Sequence, residues 1–134
     1  MTPTLLDTDT LSFFNKQHPA VITNAAVYRA QFGQLVFSEL SYYEVTRGLK
    51  AAGANARLRR FEQFCLAHRI LPFTRTAAVA AADVWADLKR RGLPIGEIDT
   101  LLAGVALSEG LALATHNITH FSRIAGLPVV DWTV

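Results

Sequence analysis

The sequence predicts an α/β fold: a three-layer α/β/α sandwich around a mainly parallel sheet of about five strands. Three observations lead there. Short apolar runs alternate along the chain with longer segments of helical period. Glycines punctuate the helical segments, at Gly33, Gly53, Gly92 and Gly110. No internal repeat, low-complexity tract or linker-like stretch interrupts the alternation. At 134 residues the chain is expected to form a single domain over residues 1–134.

Thr4–Leu6 is the first strand, and it ends abruptly at two carboxylates, Asp7 and Asp9. Helical material follows over Asp9–Asn15. Pro19 interrupts it, and Ala20–Phe32 resumes as helix up to Gly33. Leu35-Val36-Phe37 reads as a short buried strand, with Ser38 or Ser41 available to cap a helix running to about Lys50. Asn55–His68 is the next helix, with Leu58, Phe61, Phe64 and Cys65 on its apolar side and Arg57, Arg59 and Arg60 on or near its polar side.

Ile70-Leu71 is a brief strand closed by Pro72. Thr76–Arg91 is Ala-rich, carries basic residues in its last turn and stops at Gly92, all marks of a helix. Ile98, Leu101, Leu102 and Val105 keep the i, i+3, i+4, i+7 spacing of one helix face. Leu111–Ala114 is the fourth strand, Asn117–Ile124 a short helix or turn, and Pro128-Val129-Val130 the last strand.

Half of the residues (51%) are hydrophobic and 18% are charged. That composition supports a substantial core and argues against disorder. The formal charge of +2 is compatible with a polyanionic partner without demanding one. Cys65 is the only cysteine, so no internal disulfide and no cysteine-based zinc site can form; a reduced thiol fits a cytoplasmic protein. Asp7 and Asp9 break up any signal-peptide pattern. The apolar stretch Ile98–Leu113 is interrupted by Asp99, Glu109 and Gly110 and is too short to span a membrane.

In right-handed β-α units, strand C-termini and helix N-termini share one sheet edge, where such folds place their sites. Asp7 ends the first strand. Glu44 falls in the first two turns of the helix after the second strand, and Asp99 in the first turn of the helix before the fourth. Asn117 follows that fourth strand. All four are therefore expected at one edge. Two unit charges about 4 Å apart repel by about 4 kcal/mol at an effective dielectric near 20. A hard divalent cation removes that cost, and an all-oxygen donor set favours Mg2+ or Mn2+ over zinc. Such a cation can orient water for attack on a phosphodiester.

Each residue also has a structural reading. Asp7 or Asp9 could cap the following helix, the better reading for Asp9. Glu44 could pair with Arg47, and Asp99 could complement a helix dipole. Taken together on one edge, Asp7, Glu44 and Asp99 are better explained as metal-binding catalytic carboxylates, with Asn117 as a weaker fourth ligand. Glu44 and Asn117 would act directly or through water. Asp9, Ser38, Thr115 and Glu97 are candidates to support those ligands. His116 and His120 lack a third soft ligand and are assigned to the surface or the rim of the site. The Arg57/Arg59/Arg60 group and Lys89–Arg91 read as solvated helix faces.

The ordered set of motifs resembles the PIN-domain family, and within it the VapC-type toxins of toxin–antitoxin pairs. The resemblance covers nearly the whole chain. Leu5 through Ser12 (LLDTDTLS) is similar to the family's opening LLDTNxLS, and Ser38 through Gly48 (SELSYYEVTRG) carries its glutamate at Glu44. Ile95 through Ala103 carries its aspartate at Asp99. Ala114 through Phe121, then Gly126-Leu127 and Asp131-Trp132, resembles its closing segment. The resemblance implies a magnesium- or manganese-dependent endoribonuclease with Asp7, Glu44 and Asp99 as its acidic triad. It also implies a homodimer inhibited by a cognate antitoxin that reaches operator DNA through its own other end. Asn117 stands where many members have a fourth acid.

Two other classes share some of these features. In a haloacid-dehalogenase-like phosphohydrolase, Asp7 would be the nucleophile, Asp9 the acid/base and Ser38 a phosphate-binding hydroxyl. No acidic pair follows the fourth strand, and Glu44 and Asp99 would then have no role. A receiver-type signalling domain needs an aspartate after strand three and a lysine after strand five; Pro72-Phe73-Thr74 and Asp131-Trp132 stand there instead. A fold of the same family kept only as a binding module is the remaining non-enzyme reading. The residues favour Asp7 as a ligand over Asp7 as a nucleophile.

Overall fold

Every strand of the protein is two or three residues long, and every strand pairing is parallel. The computed structural model describes residues 1–134. In chain order the elements are β1 (Thr4–Leu6), α1 (Thr8–Asn15), α2 (Pro19–Phe32), β2 (Val36–Ser38), α3 (Glu39–Ala51) and α4 (Asn55–Leu66). They continue with β3 (Arg69–Leu71), α5 (Arg75–Arg90), α6 (Glu97–Glu109), β4 (Ala112–Ala114), α7 (Ile118–Phe121) and β5 (Val129–Val130). The expected five strands are all present.

The ladder is divided. β1, β4 and β5 form one hydrogen-bonded sheet with β4 in the middle, and β2 and β3 form another. β1 packs beside β2, so the two ladders lie together as one layer. In-register pairing sets Leu6 against Ala114 and Ser38 against Leu71, which brings the strand ends to a common edge.

The period-2 alternation of the strands separates two cores. Leu5, Val36 and Leu113 join one cluster, with Ala77, Leu88 and Val105 of α5 and α6. Their neighbours Leu6, Phe37 and Ala114 face the opposite cluster, with Leu11, Val21, Tyr28 and Phe61 of α1, α2 and α4. The three-layer expectation is met. Fully burying Leu5 and Leu6, both almost without exposure, contributes about 1.5–3 kcal/mol each.

Local chemistry fixes the helix ends. Pro19 starts α2 as its first residue, where its missing N–H is harmless. Ser38, and not Ser41, caps α3: its Oγ accepts from the N–H groups of Leu40 and Ser41. α6 is capped by Gly96 at its start and by Gly110 at its end, where Gly110 adopts φ 66° in the left-handed region. Mid-helix, Gly104 permits a close approach. A Cβ there would lie 2.5 Å from the carbonyl oxygen of Ala77 and 2.7 Å from the Cβ of Ala81. The α5–α6 seam depends on that missing methyl group.

Candidate active site

Asp7 lies between β1 and α1 and performs two tasks. Its N–H donates to the Ala114 carbonyl at 3.0 Å, extending the β1–β4 ladder. Its Oδ1 accepts from the N–H of Thr10 at 2.8 Å, the N-cap bond of α1. The expectation that Asp9 is the cap is thereby corrected. The chain is still extended at Asp7 (φ −75°, ψ 173°) and turns helical at Thr8, so Asp9 falls inside the first turn and is exposed.

Only 3% of Asp7 is exposed. Burial pushes its carboxyl up to about 6, with the Thr115 hydroxyl, the Thr10 N–H and the Thr10 hydroxyl opposing and the Asp9 charge adding to the rise. Thr115 is fully buried and accepts from the N–H of Asn117 at 2.9 Å. It therefore stands between two of the residues predicted for the site. Ser38 is also fully buried, and its Oγ accepts from the two α3 N–H groups as the helix cap. With no exposed surface, that hydroxyl is kept from a phosphate, against the phosphohydrolase reading.

Glu44 is held by neighbours that sequence reasoning misses. Thr8 donates its hydroxyl to Glu44 Oε1 at 2.5 Å, and Ser41 Oγ lies 3.0 Å from the same Thr8 oxygen. Thr8 has one hydroxyl proton, which goes to the carboxylate, so Ser41 donates to Thr8. A signal exists for Ser41, which precedes Glu44 by three residues and so shares its helix face. The Arg47 pairing anticipated for Glu44 also forms, at 3.5 Å and largely in solvent, where such pairs contribute little.

Asp99 occupies the first turn of α6, as expected. Its carboxyl is raised by burial first, then by the charges of Asp9 and Glu44, while His120 pulls it down. Asp9 thus acts on both Asp7 and Asp99, a larger part than a cap would have. Glu97 is exposed at the start of α6.

Asn117 sits just beyond β4, before α7. Its amide nitrogen and His120 Nδ1 are 2.8 Å apart, which leaves its amide oxygen for other donors or a cation. His120 is accordingly closer to the site than a surface position implies. His116 is exposed and sits 3.0 Å from Asp131 Oδ2. Asp131 is held below the usual carboxylate range: partial burial pushes it up, but Thr133 and His116 outweigh that.

Asp7, Glu44, Asp99 and Asn117 therefore come from β1, α3, α6 and the end of β4 to one edge of the sheet layer. No three His, Cys, Asp or Glu side chains stand close enough together to hold an ion among themselves. Magnesium is commonly held by one or two carboxylates with water completing its shell. The donor set suits that mode: all oxygen, with Asp9 and Glu44 raising the Asp99 carboxyl, and a buried aspartate hydrogen-bonded by neutral groups.

Cys65 is a free, half-buried thiol pushed up to about 11 by burial first and then by Glu39 and Glu62. No helix is long and apolar enough to cross a membrane.

The PIN-domain family profile matches residues 4–127. The tRNA(fMet)-specific endonuclease VapC of Salmonella typhimurium is 31% identical over 129 residues, covering 96% of each chain. Ribonuclease VapC1 of Haemophilus influenzae is 31% identical over 136 residues, covering 96% of this chain and 97% of its own. Among solved structures, DNA-bound VapBC from Salmonella typhimurium superposes with a TM-score of 0.87 at 29% identity, covering 98% of this chain and 99% of the other. VapBC-1 from nontypeable Haemophilus influenzae gives 0.84 at 29% identity, with 98% of each chain covered.

Proposed function

The chain belongs to the PIN-domain family, and from that premise we propose that it is a VapC-like endoribonuclease toxin. In this reading it forms a single domain, cuts RNA phosphodiesters with a divalent cation, Mg2+ or Mn2+, and works as a homodimer restrained by a cognate antitoxin. Relatives named as ribonucleases match over nearly their full length, and its structural relatives come from VapBC complexes.

The observation that carries the reading is the shared field of the acidic edge. Asp9 and Glu44 raise the Asp99 carboxyl, and Asp9 raises that of the buried Asp7. Like charges brought together in this way favour a cation between them. Asp7 and Asp99 are the residues to hold it, with Glu44 and Asn117 acting directly or through water. When bound there, a divalent cation supplies Lewis acidity for ionising water and for stabilising the departing oxygen.

The protein's own part is positioning. The Thr10 N–H holds Asp7 Oδ1 and so fixes the carboxylate at the end of β1. Thr8 fixes Glu44 against the α1 N-terminus. His120 orients the Asn117 amide so that its oxygen is the free end. Asp9 adds negative charge at the rim, and Thr115 supports Asp7 from below.

Purified protein is expected to cleave RNA with magnesium or manganese and to stop when EDTA is added. Transfer RNA is the first substrate class to try, since the Salmonella relative is named for one. Asp99→Asn should lower the rate by at least about 100-fold, in line with loss of a group that stabilises transition-state charge. Full cleavage by that variant would overturn the assignment. Overproduction should arrest growth, and Asp7→Asn made at the same level should relieve it.

A further inference from the structure

A groove of about 480 Å³ opens between α1, α3 and α4, and Glu44 is part of its lining. Its volume lies within the roughly 300–1,000 Å³ typical of small-molecule pockets. Its chemistry is divided between a floor and a rim. Phe14, Phe61 and Phe64 line the floor, and the Phe61 and Phe64 rings lie within 19° of parallel. Lys16, Arg57 and Arg60 line the rim.

The three rim cations have no carboxylate partner within 4 Å, because the ion pairs of the protein are Arg47–Glu44, Arg91–Asp87 and His116–Asp131. All three are exposed. Arg57, Arg60, Phe61 and Phe64 fall at i, i+3, i+4 and i+7, one stripe of α4. Arg59 is not on the groove. The basic group of α4 is therefore split, with two members on the stripe of the phenylalanines and one turned elsewhere.

We propose that this groove takes an unpaired RNA strand as it runs away from the acidic edge. Lys16, Arg57 and Arg60 hold its phosphates, and a base lies against the phenylalanine floor. The proposal rests on the ribonuclease reading and adds the path of the substrate to it. Three properties favour RNA. The rim has an unmatched positive charge, which a phosphate chain neutralises. The floor is aromatic, with Phe14 and Phe64 part-exposed and Phe61 buried behind them, and bases stack on aromatic rings without regard to sequence. Glu44 lines the groove, so it opens next to the acidic edge.

The test is equilibrium binding of a fluorescein-labelled, mixed-sequence single-stranded RNA 12-mer in EDTA, across a salt series. Arg57→Glu/Arg60→Glu should bind at least about tenfold more weakly, with a log–log salt slope smaller by about 1.4, two cations at about 0.7 each. Arg59→Glu should leave the slope nearly unchanged. In a cleavage assay with bulk transfer RNA and magnesium, the double variant should raise KM and keep kcat. Binding and KM unchanged in the double variant would overturn the proposal. Equal losses from Arg59→Glu would also overturn it, reducing the effect to net charge. If the unaltered protein neither binds nor cuts RNA, the ribonuclease reading itself fails; if it cuts normally while the groove variants are silent, only the groove assignment fails.

Discussion

Thr8 on α1 and Glu44 on α3, thirty-six residues apart, are joined by a 2.5 Å hydrogen bond from hydroxyl to carboxylate. Thr8→Val keeps the side-chain shape and removes the donor. A hydrogen bond to a charged group contributes about 1.5–3 kcal/mol, so the variant should lose roughly 10- to 100-fold in RNA cleavage. Its metal-concentration midpoint should rise, because Glu44 is left with only the exposed Arg47 contact. Wild-type cleavage and metal dependence would show that Glu44 needs no such anchor.

Asp7→Asn should stabilise the metal-free protein at neutral pH. The folded carboxyl is pushed from its ordinary 3.8 up to about 6, so the folded state keeps a proton that the unfolded chain gives up at lower pH. No penalty exists below about pH 4; it grows between about pH 4 and 6 and levels off above that. At pH 7.5 it amounts to about 3 kcal/mol. Asn caps helices about as well as Asp. Urea unfolding in EDTA should therefore find the variant more stable at pH 7.5 and equal to the parent at pH 4. An equal gain at both values would place the effect somewhere other than ionisation.

His68 is nearly buried, and its Nδ1 accepts from the N–H of Leu35 at 3.0 Å. Burial lowers its tendency to protonate, and the Arg29 charge adds to this. The folded state therefore favours the neutral ring. Its stabilising contribution is present above pH 6.5 and is lost as pH falls below that value. NMR titration should place the His68 midpoint below 6.5, and a midpoint above it would contradict the assigned hydrogen bond.

Gly104→Ala should destabilise the fold by about 1–3 kcal/mol, because the new methyl group meets the Ala77 carbonyl and Ala81. Gly48 is the matching control: a Cβ there meets nothing within 4 Å, and Gly→Ala within a helix is favourable by about 1 kcal/mol. Thermal unfolding of the two variants should move in opposite directions.

Much of this is legible in the chain itself, for identifiable reasons. β1 can be placed to the residue because Thr4-Leu5-Leu6 is followed at once by acids, and the edge position of Asp7, Glu44 and Asp99 follows from β-α handedness alone. The helix start after β1 cannot be placed that way, since a shift of one residue decides whether Asp7 or Asp9 is the cap. Ser38 and Ser41 are equally good caps until the extended backbone at Ser38 (φ −104°, ψ 162°) distinguishes them. Nothing in a run of apolar residues marks where a hydrogen-bond ladder stops, so the division between β1 and β2 is not readable. The split of Arg57 and Arg60 from Arg59 depends on which face of α4 meets α1 and α3, which is a tertiary fact.

The Gly104 seam is a gauge as well as a contact. It sets how far α6 slides along α5, and Asp99 rides on the same rigid rod five residues earlier. Substitutions in the seam would therefore misplace a carboxylate they never touch. A survey of inactive variants would superimpose two maps, one of groups that handle RNA and one of spacers that set their height. Rescue by a compensating small residue on α5 would distinguish the second from the first.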